Sequence, residues 1–349
     1  MIGCGRAAET YHLPALRSLS ETTVVAIADN DSARLRNVAD RFRIPERYPS
    51  AQALLESASV DAVAVCVPVQ AHAEVALAVL DAGKHLFVEK PLALSLDECD
   101  LLLERAARSS LTAMVGFNMR WHRLVRRARD TIRGGAVGEP ELVRSVITGY
   151  HGHLAEWRKR RETGGGVLFE QAVHHFDMWR FLFRTEIDEV FATSRSEPAD
   201  DETAAVTARL ANGALAACAF SQRAGTSNEV DIYGQTARLQ FSCQRFDSFS
   251  ISPIESPSGG MRSRLRRVSQ LMKESPQAAS VLRHGGDSDA SYAAEWRHFV
   301  DAVRRQTPVE STIEDGRRAL QVVLAAVESA SLGRPVSVAT APRAVRRQG

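Results

Sequence analysis

The sequence predicts an α/β domain with a doubly wound parallel sheet, followed by an α+β domain with a large, mostly antiparallel open sheet. Up to Gly116, short β-branched runs alternate with helical patterns, which is typical of βαβ units on a parallel sheet. After Gly116, strand-like runs follow one another with few helices between them. The 349 residues exceed what one hydrophobic core usually supports. We therefore expect domains at 1–116 and 117–349, with C-terminal helices able to pack back on the first domain.

Strands and helices alternate along the first domain. The apolar run 63–67 is what a strand covered on both faces of a sheet requires, and Asp31 and Ser95 occupy positions typical of helix N-caps. The predicted strands are Thr23–Ala28, Val60–Val67, His85–Val88 and Ala113–Gly116, and the predicted helices are Asp31–Phe42, His72–Ala82 and Leu96–Arg108.

The second domain is predicted to be a sheet with helices at its end. Residues 253–290 are rich in Ser, Pro, Gly and Arg and are predicted to form a loop or a partly helical insertion. The predicted strands are Glu141–Tyr150, Glu189–Ser196, Ala204–Leu210, Ala214–Gln222, Asn228–Tyr233, Arg238–Ser242 and Val336–Val338, and the helices are Val173–Phe183, Tyr292–Arg305 and Ile313–Ser331.

Composition and charge exclude several classes of protein. The chain has 44 Lys and Arg against 42 Asp and Glu, so no nucleic-acid partner is expected. Its five cysteines include no C-x-x-C pair, which disfavours a zinc site or a disulfide framework. No signal-peptide pattern is present, and no apolar run approaches the ~20 residues of a membrane-spanning helix. We expect a cytoplasmic protein with no membrane partner.

The chain opens on a glycine-rich turn, G-x-G-x-x-A. Gly3 allows a tight turn, Gly5 lets a pyrophosphate approach the backbone, and Ala8 permits close packing of the following helix. This is the dinucleotide-binding fingerprint of the Rossmann fold, and alone it is weak.

Asp29 strengthens the fingerprint. It ends the predicted strand Thr23–Ala28, where a carboxylate can accept hydrogen bonds from the adenosine ribose hydroxyls. A carboxylate there repels a 2′-phosphate, and no Lys or Arg occurs in the next four residues, since Arg34 is the fifth. We expect NAD as the cofactor, with NADP less favoured.

The first strand of the predicted Rossmann sheet is short. Only Met1 and Ile2 precede Gly3, whereas a central strand usually has about five or six residues. Two explanations remain open: a start position assigned too late, or a domain that lacks its central strand and binds cofactor poorly.

Several motifs together make the chain resemble the glucose–fructose oxidoreductase and inositol dehydrogenase family (Gfo/Idh/MocA type), over essentially its whole length. They occur in the order found in that family. They are Gly3-x-Gly5-x-x-Ala8 with His12 and Pro14, Val67-Pro68 with His72, Ala82-Gly83-Lys84-His85 leading to Glu89-Lys90-Pro91, Gly116-Phe117-Asn118-x-Arg120, and Gly164-Gly165-Gly166 leading to His174.

The resemblance implies that Lys90 is the catalytic lysine. Its ammonium group suits the task, because it can hydrogen-bond the reacting hydroxyl or ketone oxygen and stabilise the charge that develops during hydride transfer. The resemblance also implies cofactor contacts from the Gly-rich turn, Asp29 and the ends of the next strands. The residues concerned are Gly3, Gly5, Arg6, Ala8, Asp29, Pro68, His72, Glu89 and Lys90.

The second-domain motif departs from the family pattern G-G-G-x-L-x-D-x-G-x-H-x-x-D at two positions. Glu170 stands where Asp is usual and Ala172 where Gly is usual, so the carboxylate lies one methylene further out. His174 is the candidate general base, since an ordinary histidine pKa near 6.5 suits proton transfer. If the segment is helical, Glu170 lies four positions before His174 on the same face and can orient the imidazole.

Glu170, His174, His175 and Asp177 also have the side-chain types of a metal site, but their spacing is unlike H-E-x-x-H, and we predict no metal. His175 is expected to be structural, and Asp177 to bond the backbone at the helix.

Four residues are candidate substrate contacts. Asn118 and Arg120 follow the last strand of the first domain, and Trp157 and Arg158 precede the glycine run on a predicted loop. An indole face with a nearby guanidinium suits a polyhydroxylated ring, although both can equally be surface loop residues.

The preferred interpretation is an NAD(P)-dependent oxidoreductase that transfers a hydride to or from a secondary alcohol or ketone of a sugar, inositol or related polyol. Two alternatives remain: a non-catalytic nucleotide-binding sensor or subunit, and a reductase of an imine or tetrapyrrole on the same scaffold. The family resemblance implies a homodimer or homotetramer.

Overall fold

The computed structural model describes residues 1–150, 152, 154–245, 248–254 and 287–344. The helices are α1 Leu13–Arg17, α2 Ser32–Phe42, α3 Ala51–Ser57, α4 His72–Asp81, α5 Leu96–Ala107, α6 Arg123–Arg133, α7 Val173–Phe183, α8 Asp287–Arg305 and α9 Ile313–Leu332. The strands are β1 Ala26–Ala28, β2 Glu46–Tyr48, β3 Ala62–Val65, β4 His85–Glu89, β5 Ala113–Gly116, β6 Pro140–Tyr150, β7 Ile187–Arg195, β8 Thr203–Leu210, β9 Leu215–Ser221, β10 Arg223–Gly234, β11 Ala237–Ser242, β12 Ser250–Pro253 and β13 Val336–Ser337.

The first domain is the predicted doubly wound parallel sheet, and the first two residues form its centre. Ile2 pairs in parallel with Ala28 of β1 on one side and with Val65 of β3 on the other. The strand order is therefore β2, β1, Ile2, β3, β4, β5. The α-ammonium of Met1 donates to the carbonyl of Ala26 at 2.8 Å. Its burial lowers the pKa of this amine to about 6.

Three elements of the first 150 residues were not predicted from the sequence. Strand β2 is a polar edge strand, Glu-Arg-Tyr, without the alternation of apolar and polar residues that marks half-buried strands. Helix α3 has one fully buried residue, Leu54. Helix α6 buries Leu124 and other small apolar residues among several arginines, so its polar composition hides its apolar face.

The second domain is the predicted mostly antiparallel sheet, with eight strands in the order β12, β11, β10, β6, β9, β8, β7, β13. One pair, β6 with β9, is parallel. Helices α7 and α9 pack together, and α9 lies against β7. Large apolar side chains on the sheet remain exposed at Leu142 (37%), Phe191 (37%) and Leu215 (54%).

The C-terminal helices contact the first domain. Trp296 and Phe299 of α8 join a core cluster with Ile27 and Phe87. Gly316 of α9 lies so close to the first domain that a Cβ there would be 2.9 Å from Leu92. The predicted insertion 253–290 overlaps the start of α8 at Asp287, and its part 255–286 lies outside the described residues. Across the described helices, we find none with both the length and the apolarity needed to cross a membrane.

Candidate active site

The glycine-rich turn follows directly from the central strand position. Gly3 has φ of +92°, and a Cβ there would lie 2.5 Å from the carbonyl oxygen of Cys66. Gly5 faces open space, with nothing within 4 Å of a built Cβ. A π-helical turn, Ala8–His12, then leads into α1. The turn therefore has both features of a pyrophosphate cradle: a tight bend at the first glycine and free space at the second. Arg6 is exposed at the start of this helical segment.

Asp29 is oriented by backbone donors. Its carboxylate accepts hydrogen bonds from the N–H of Cys4 and the N–H of Asp31, both at 2.8 Å. The guanidinium of Arg34 lies 3.4 Å from both carboxylate oxygens. Asp31 caps α2 through the N–H groups of Ala33 and Arg34, and this first turn carries Arg34 back to Asp29. The four residues after Asp29 contain no cation, but Arg34, the fifth, is adjacent to the Asp29 carboxylate in space. The expectation that no basic residue stands near this carboxylate is therefore wrong.

Two predicted cofactor contacts have their polar groups occupied within the protein. The ring nitrogens of His72 lie 2.7 Å from the carbonyl oxygen of Pro91 and 2.9 Å from that of Val67. Glu89 lies 2.6 Å from His12 Nε2 and accepts from the backbone N–H of Lys90 at 3.0 Å. These side chains link strand ends instead of offering free groups to a cofactor. Pro68 is exposed beside them, before the short turn Val69–Ala71.

Lys90 extends from the end of β4 towards the second domain. Its Nζ donates to the backbone carbonyl of Glu170 at 2.9 Å. Burial lowers the pKa of Lys90, and the carboxylates of Glu89 and Glu170 oppose that shift. The lysine therefore bridges the two domains beside the segment that carries His174.

His174 lies at the start of α7 with a partly accessible side chain. Burial, followed by the charge of Lys90 and the proximity of His175, holds the pKa of His174 well below its usual value. Among the described residues no partner reaches its Nδ1. Its ring packs edge-on against Phe117, with 6.4 Å between the centroids. A neutral imidazole at pH 7 can accept a proton.

The carboxylate of Glu170 does not hold His174. It binds Arg158 through two hydrogen bonds, one of 2.5 Å from Nε to Oε1 and a second from Nη2 to Oε2, and it accepts from Gln222 Nε2 at 2.8 Å. Glu170 lies in a single π-helical turn, Leu168–Ala172, which precedes α7. The regular α-helical spacing of i and i+4 that was assumed from the sequence therefore does not apply to Glu170 and His174. Gln222, at the end of the sheet, was not singled out by the sequence.

Arg120 is a structural residue, which corrects its predicted role as a substrate contact. It is 5% exposed and forms two hydrogen bonds with Asp177, at 2.7 Å and 2.5 Å. It also bonds Asp315 at 3.1 Å and the backbone carbonyl of Glu310. Burial opposes its charge, but Asp177 and Asp315 raise the pKa of Arg120. The same pair shows that Asp177 binds a side chain and not the helix backbone.

The likeness to known proteins agrees with this geometry. Residues 1–117 match the model of the oxidoreductase family with an NAD-binding Rossmann fold, and residues 125–240 match the GFO/IDH/MocA C-terminal domain. A dTDP-3,4-didehydro-2,6-dideoxy-alpha-D-glucose 3-reductase from Actinomadura kijaniata is 30% identical, over 68% of this chain and 72% of its own. The chain belongs to the GFO/IDH/MocA oxidoreductase family. It is therefore an oxidoreductase with an NAD-binding domain.

Two further proteins resemble this GFO/IDH/MocA oxidoreductase along almost its full length. Myo-inositol 2-dehydrogenase from Thermotoga maritima is 27% identical over 97% of both chains. The crystal structure of a probable dehydrogenase from the same organism superposes with a TM-score of 0.79, at 25% identity and 98% coverage of both chains.

The glycine run of this GFO/IDH/MocA oxidoreductase closes the second domain onto the first. A Cβ at Gly164, whose φ is +83°, would overlap the side chain of Val69. A Cβ at Gly165 would overlap the backbone carbonyl of Arg158. The run therefore lets the loop that carries Trp157 and Arg158 approach the end of β3.

The remaining predicted substrate contacts lie near this cleft, and their role stays a prediction. Asn118 Nδ2 donates to Ser291 Oγ at 3.3 Å. Trp157 is half-buried in the short helix Glu156–Lys159, and its carbonyl accepts from Thr163 Oγ1 at 2.6 Å. Within the described ranges, no group of three or more His, Cys, Asp and Glu side chains is arranged to hold a metal ion.

Proposed function

We propose that this protein is an NAD-dependent dehydrogenase or reductase acting on a secondary alcohol or ketone carbon of a sugar, an inositol or a related polyol. One observation carries the proposal: Lys90 at the end of β4 donates to the backbone carbonyl of Glu170 at 2.9 Å, four residues before His174 in the second domain. The charge of Lys90 is also one of the causes that lower the pKa of His174. The names of the relatives, an inositol dehydrogenase and a sugar reductase, support the substrate class.

The residues of the first domain fit a dinucleotide. The Gly3–Gly5 turn would hold the pyrophosphate, and Asp29 would accept hydrogen bonds from the adenosine ribose. When bound there, the nicotinamide ring supplies the acceptor or donor of the hydride.

In the direction of oxidation, Lys90 hydrogen-bonds the reacting hydroxyl oxygen and His174 accepts its proton. The carbon–oxygen double bond forms as the hydride leaves the same carbon, so one proton and one hydride are accounted for. The Lys90 ammonium stabilises the partial negative charge on that oxygen. In reduction, His174 returns the proton.

Arg158 and Glu170 form an ion pair near Lys90 and His174. Because Glu170 is bound by Arg158 and Gln222, we assign it a positioning role: its backbone carbonyl holds Lys90, and its carboxylate holds the Arg158 loop. Asn118, Trp157 and the free edge of Arg158 are the proposed contacts for substrate hydroxyls.

A screen at 340 nm tests the function. The wild type is assayed with NAD and NADP against sugars, inositols and sugar acids, beside Lys90→Ala, His174→Ala and the control Lys84→Ala at the opposite end of β4. We expect turnover in the wild type and control, and a fall in kcat of about 10²–10⁴ in the two site variants. NADH binding with no turnover on any substrate would instead indicate the sensor or subunit.

We further propose that the protein is a cytoplasmic homodimer or homotetramer. The exposed Leu142, Phe191 and Leu215 on the open sheet support association through that face. The five cysteines are free thiols, which suits a reducing compartment. Light scattering that finds a monomer, or cell fractionation that finds the protein outside the cytoplasm, would contradict the respective part.

A further inference from the structure

A chain of hydrogen bonds runs from the second domain to the backbone of Lys90. Trp296 Nε1 of α8 donates to His12 Nδ1 at 3.0 Å. His12 Nε2 lies 2.6 Å from Glu89 Oε1. Glu89 Oε2 accepts from the N–H of Lys90 at 3.0 Å. We call these three side chains the Trp296–His12–Glu89 relay.

The chemistry of the indole fixes where the protons lie. An indole nitrogen can only donate, so Nδ1 of His12 must accept, and the ring proton is on Nε2. Nε2 then donates to Glu89, whose two oxygens both serve as acceptors. Burial opposes ionisation of Glu89, but the bond from His12 and the charge of Lys90 lower its pKa. The relay therefore ends in an ionised carboxylate.

Aromatic packing holds the relay in one arrangement. His12 is fully buried, and its ring meets Phe87 and Tyr292 edge to face, with centroids 5.5 Å and 5.2 Å apart. Trp296 stacks on Phe87 with centroids 4.2 Å apart. These contacts restrict rotation of the imidazole on each of these sides.

We propose that the Trp296–His12–Glu89 relay is a positioning device for Lys90, which keeps a carboxylate bonded to the backbone N–H of Lys90 and fixes the backbone from which Lys90 extends. The proposal rests on the proposed function, in which Lys90 acts in its charged form. Through the relay, a tryptophan of α8 near the C-terminus takes part in the site although it does not touch the substrate.

Of the carboxylates around Lys90, Glu89 is the one whose charge is best placed to act on the ammonium. The carboxylate of Glu170 also faces Lys90, but Arg158 binds it and Arg158 itself lowers the pKa of Lys90. Burial, followed by the charge of Glu89, raises the pKa of Glu295 well above its usual value, which favours its neutral form. The other titratable groups that face Lys90 or Glu89 are His72, His174, Cys66 and Tyr292.

The pH dependence of turnover tests the relay. Removing a negative charge beside an ammonium lowers the pKa of that ammonium, so activity that needs protonated Lys90 is lost at a lower pH. In Glu89→Gln and His12→Leu we expect the alkaline limb of the kcat profile to move down by about 1 pH unit. His12→Gln keeps an amide N–H that can donate to Glu89, so its alkaline limb should lie close to that of the wild type. A purely structural role for His12 would change the thermal melting temperature without moving the limb.

A labelling experiment tests the relay without turnover. Trinitrobenzenesulfonate reacts with unprotonated amines, so the pH at which Lys90 is half-maximally labelled, read by peptide mass spectrometry, reports its protonation. Lys84 in the same sample is the control. We expect the midpoint of Lys90 to fall by about 1 pH unit in Glu89→Gln, with that of Lys84 unchanged. If the wild type turns over no polyol, the proposed function fails while this result still decides the relay.

Trp296→Phe guards against variants that do not fold, because it removes the N–H donor but keeps an aromatic ring that can pack on Phe87. Without that donor His12 is free to adopt the other tautomer, and we expect a smaller downward shift of the same midpoint. The proposal is overturned if the labelling midpoint of Lys90 equals that of the wild type in both Trp296→Phe and Glu89→Gln. If Glu89→Gln does not fold, an unchanged midpoint in Trp296→Phe alone overturns it.

Discussion

The two sides of the cleft are built in different ways. The cofactor side depends on backbone geometry: Gly3 bends at positive φ against Cys66, and Asp29 is held by backbone N–H groups. The side that faces it, in the second domain, depends on pairs of charged side chains, such as Arg158 with Glu170 and the buried Arg120 with Asp177. Backbone geometry is set by a few local residue types, whereas each ion pair joins two separate segments. Replacing a glycine therefore disturbs its own turn, whereas replacing one member of a buried ion pair leaves a charge in another segment with fewer partners.

The ion pairs of the second domain differ in burial, and we expect the most buried one, Arg120 with Asp177, to give the largest effect on stability. Arg120→Met removes both hydrogen bonds to the buried Asp177 and leaves it, among the described residues, only Arg180 at 3.8 Å, so we expect the free energy of unfolding to fall by about 3–5 kcal/mol. Urea denaturation measures this. The control Arg47→Met removes an exposed pair with Asp40 and should cost less than about 1 kcal/mol. A stable Arg120→Met protein with a raised KM would return Arg120 to the substrate contacts.

The glycines of the cofactor side should separate folding from binding. Gly3→Ala forces a side chain into a left-handed backbone position against Cys66, and we expect it to destabilise the apo protein by about 1–3 kcal/mol. Gly5→Ala has open space around the new methyl group and should leave apo stability near wild type while weakening NADH binding. Urea denaturation and NADH fluorescence titration measure the two effects. If Gly5→Ala lost as much stability as Gly3→Ala, the space beside Gly5 would not be open, and its assignment to the pyrophosphate would be contradicted.

The pH profile compares His174 with an ordinary histidine. A base must be unprotonated to act, and the lowered pKa of His174 keeps it so below pH 6.5. At pH 6, a histidine of pKa 6.5 would be unprotonated in only about a quarter of molecules, so we expect kcat/KM to be up to about four-fold higher than that base would allow. The acid limb should therefore lie below pH 6.5. An acid limb at 6.5 would show that His174 is not the base, or that bound cofactor restores its ordinary pKa.

The smallest effect should come from Arg34, which partly neutralises Asp29. In Arg34→Ala the full carboxylate charge faces an incoming 2′-phosphate. We expect the preference for NADH over NADPH to rise by less than about five-fold, since Arg34 is half-exposed and its charge is screened by water. Dissociation constants for both cofactors measure it. Arg36→Ala, exposed on the same helix, is the control and should leave the ratio unchanged.

Local patterns were enough to locate the strand ends that carry the proposed cofactor contacts. Gly3, Gly5, Asp29 and Lys90 all lie at or near strand ends, and the periodicity of the sequence locates those ends. The sheet orders of both domains also agree with the predicted fold class. The short elements β2 and α3 were missed because they bury few side chains.

Pairings across long sequence separations could not be predicted. Nothing within a few residues of Arg120 shows that Asp177 and Asp315 will surround it, and Glu170 gives no local sign of its partner Gln222. Arg34 was misjudged for a related reason: distance was counted along the chain, whereas a capped helix turn brings the fifth residue back. Such contacts depend on packing between elements, which a pattern of residue types does not specify.

The position of α8 also determines the order in which the protein can fold. During synthesis the residues of the first domain leave the ribosome well before residues 287–305, yet Trp296 and Phe299 complete the core around Phe87. Until they arrive, one apolar face of the nascent domain stays open to water, at the place where Lys90 will later be fixed. A chain cut short before α8 would therefore keep this apolar face exposed, which is the kind of surface that chaperones and proteases recognise.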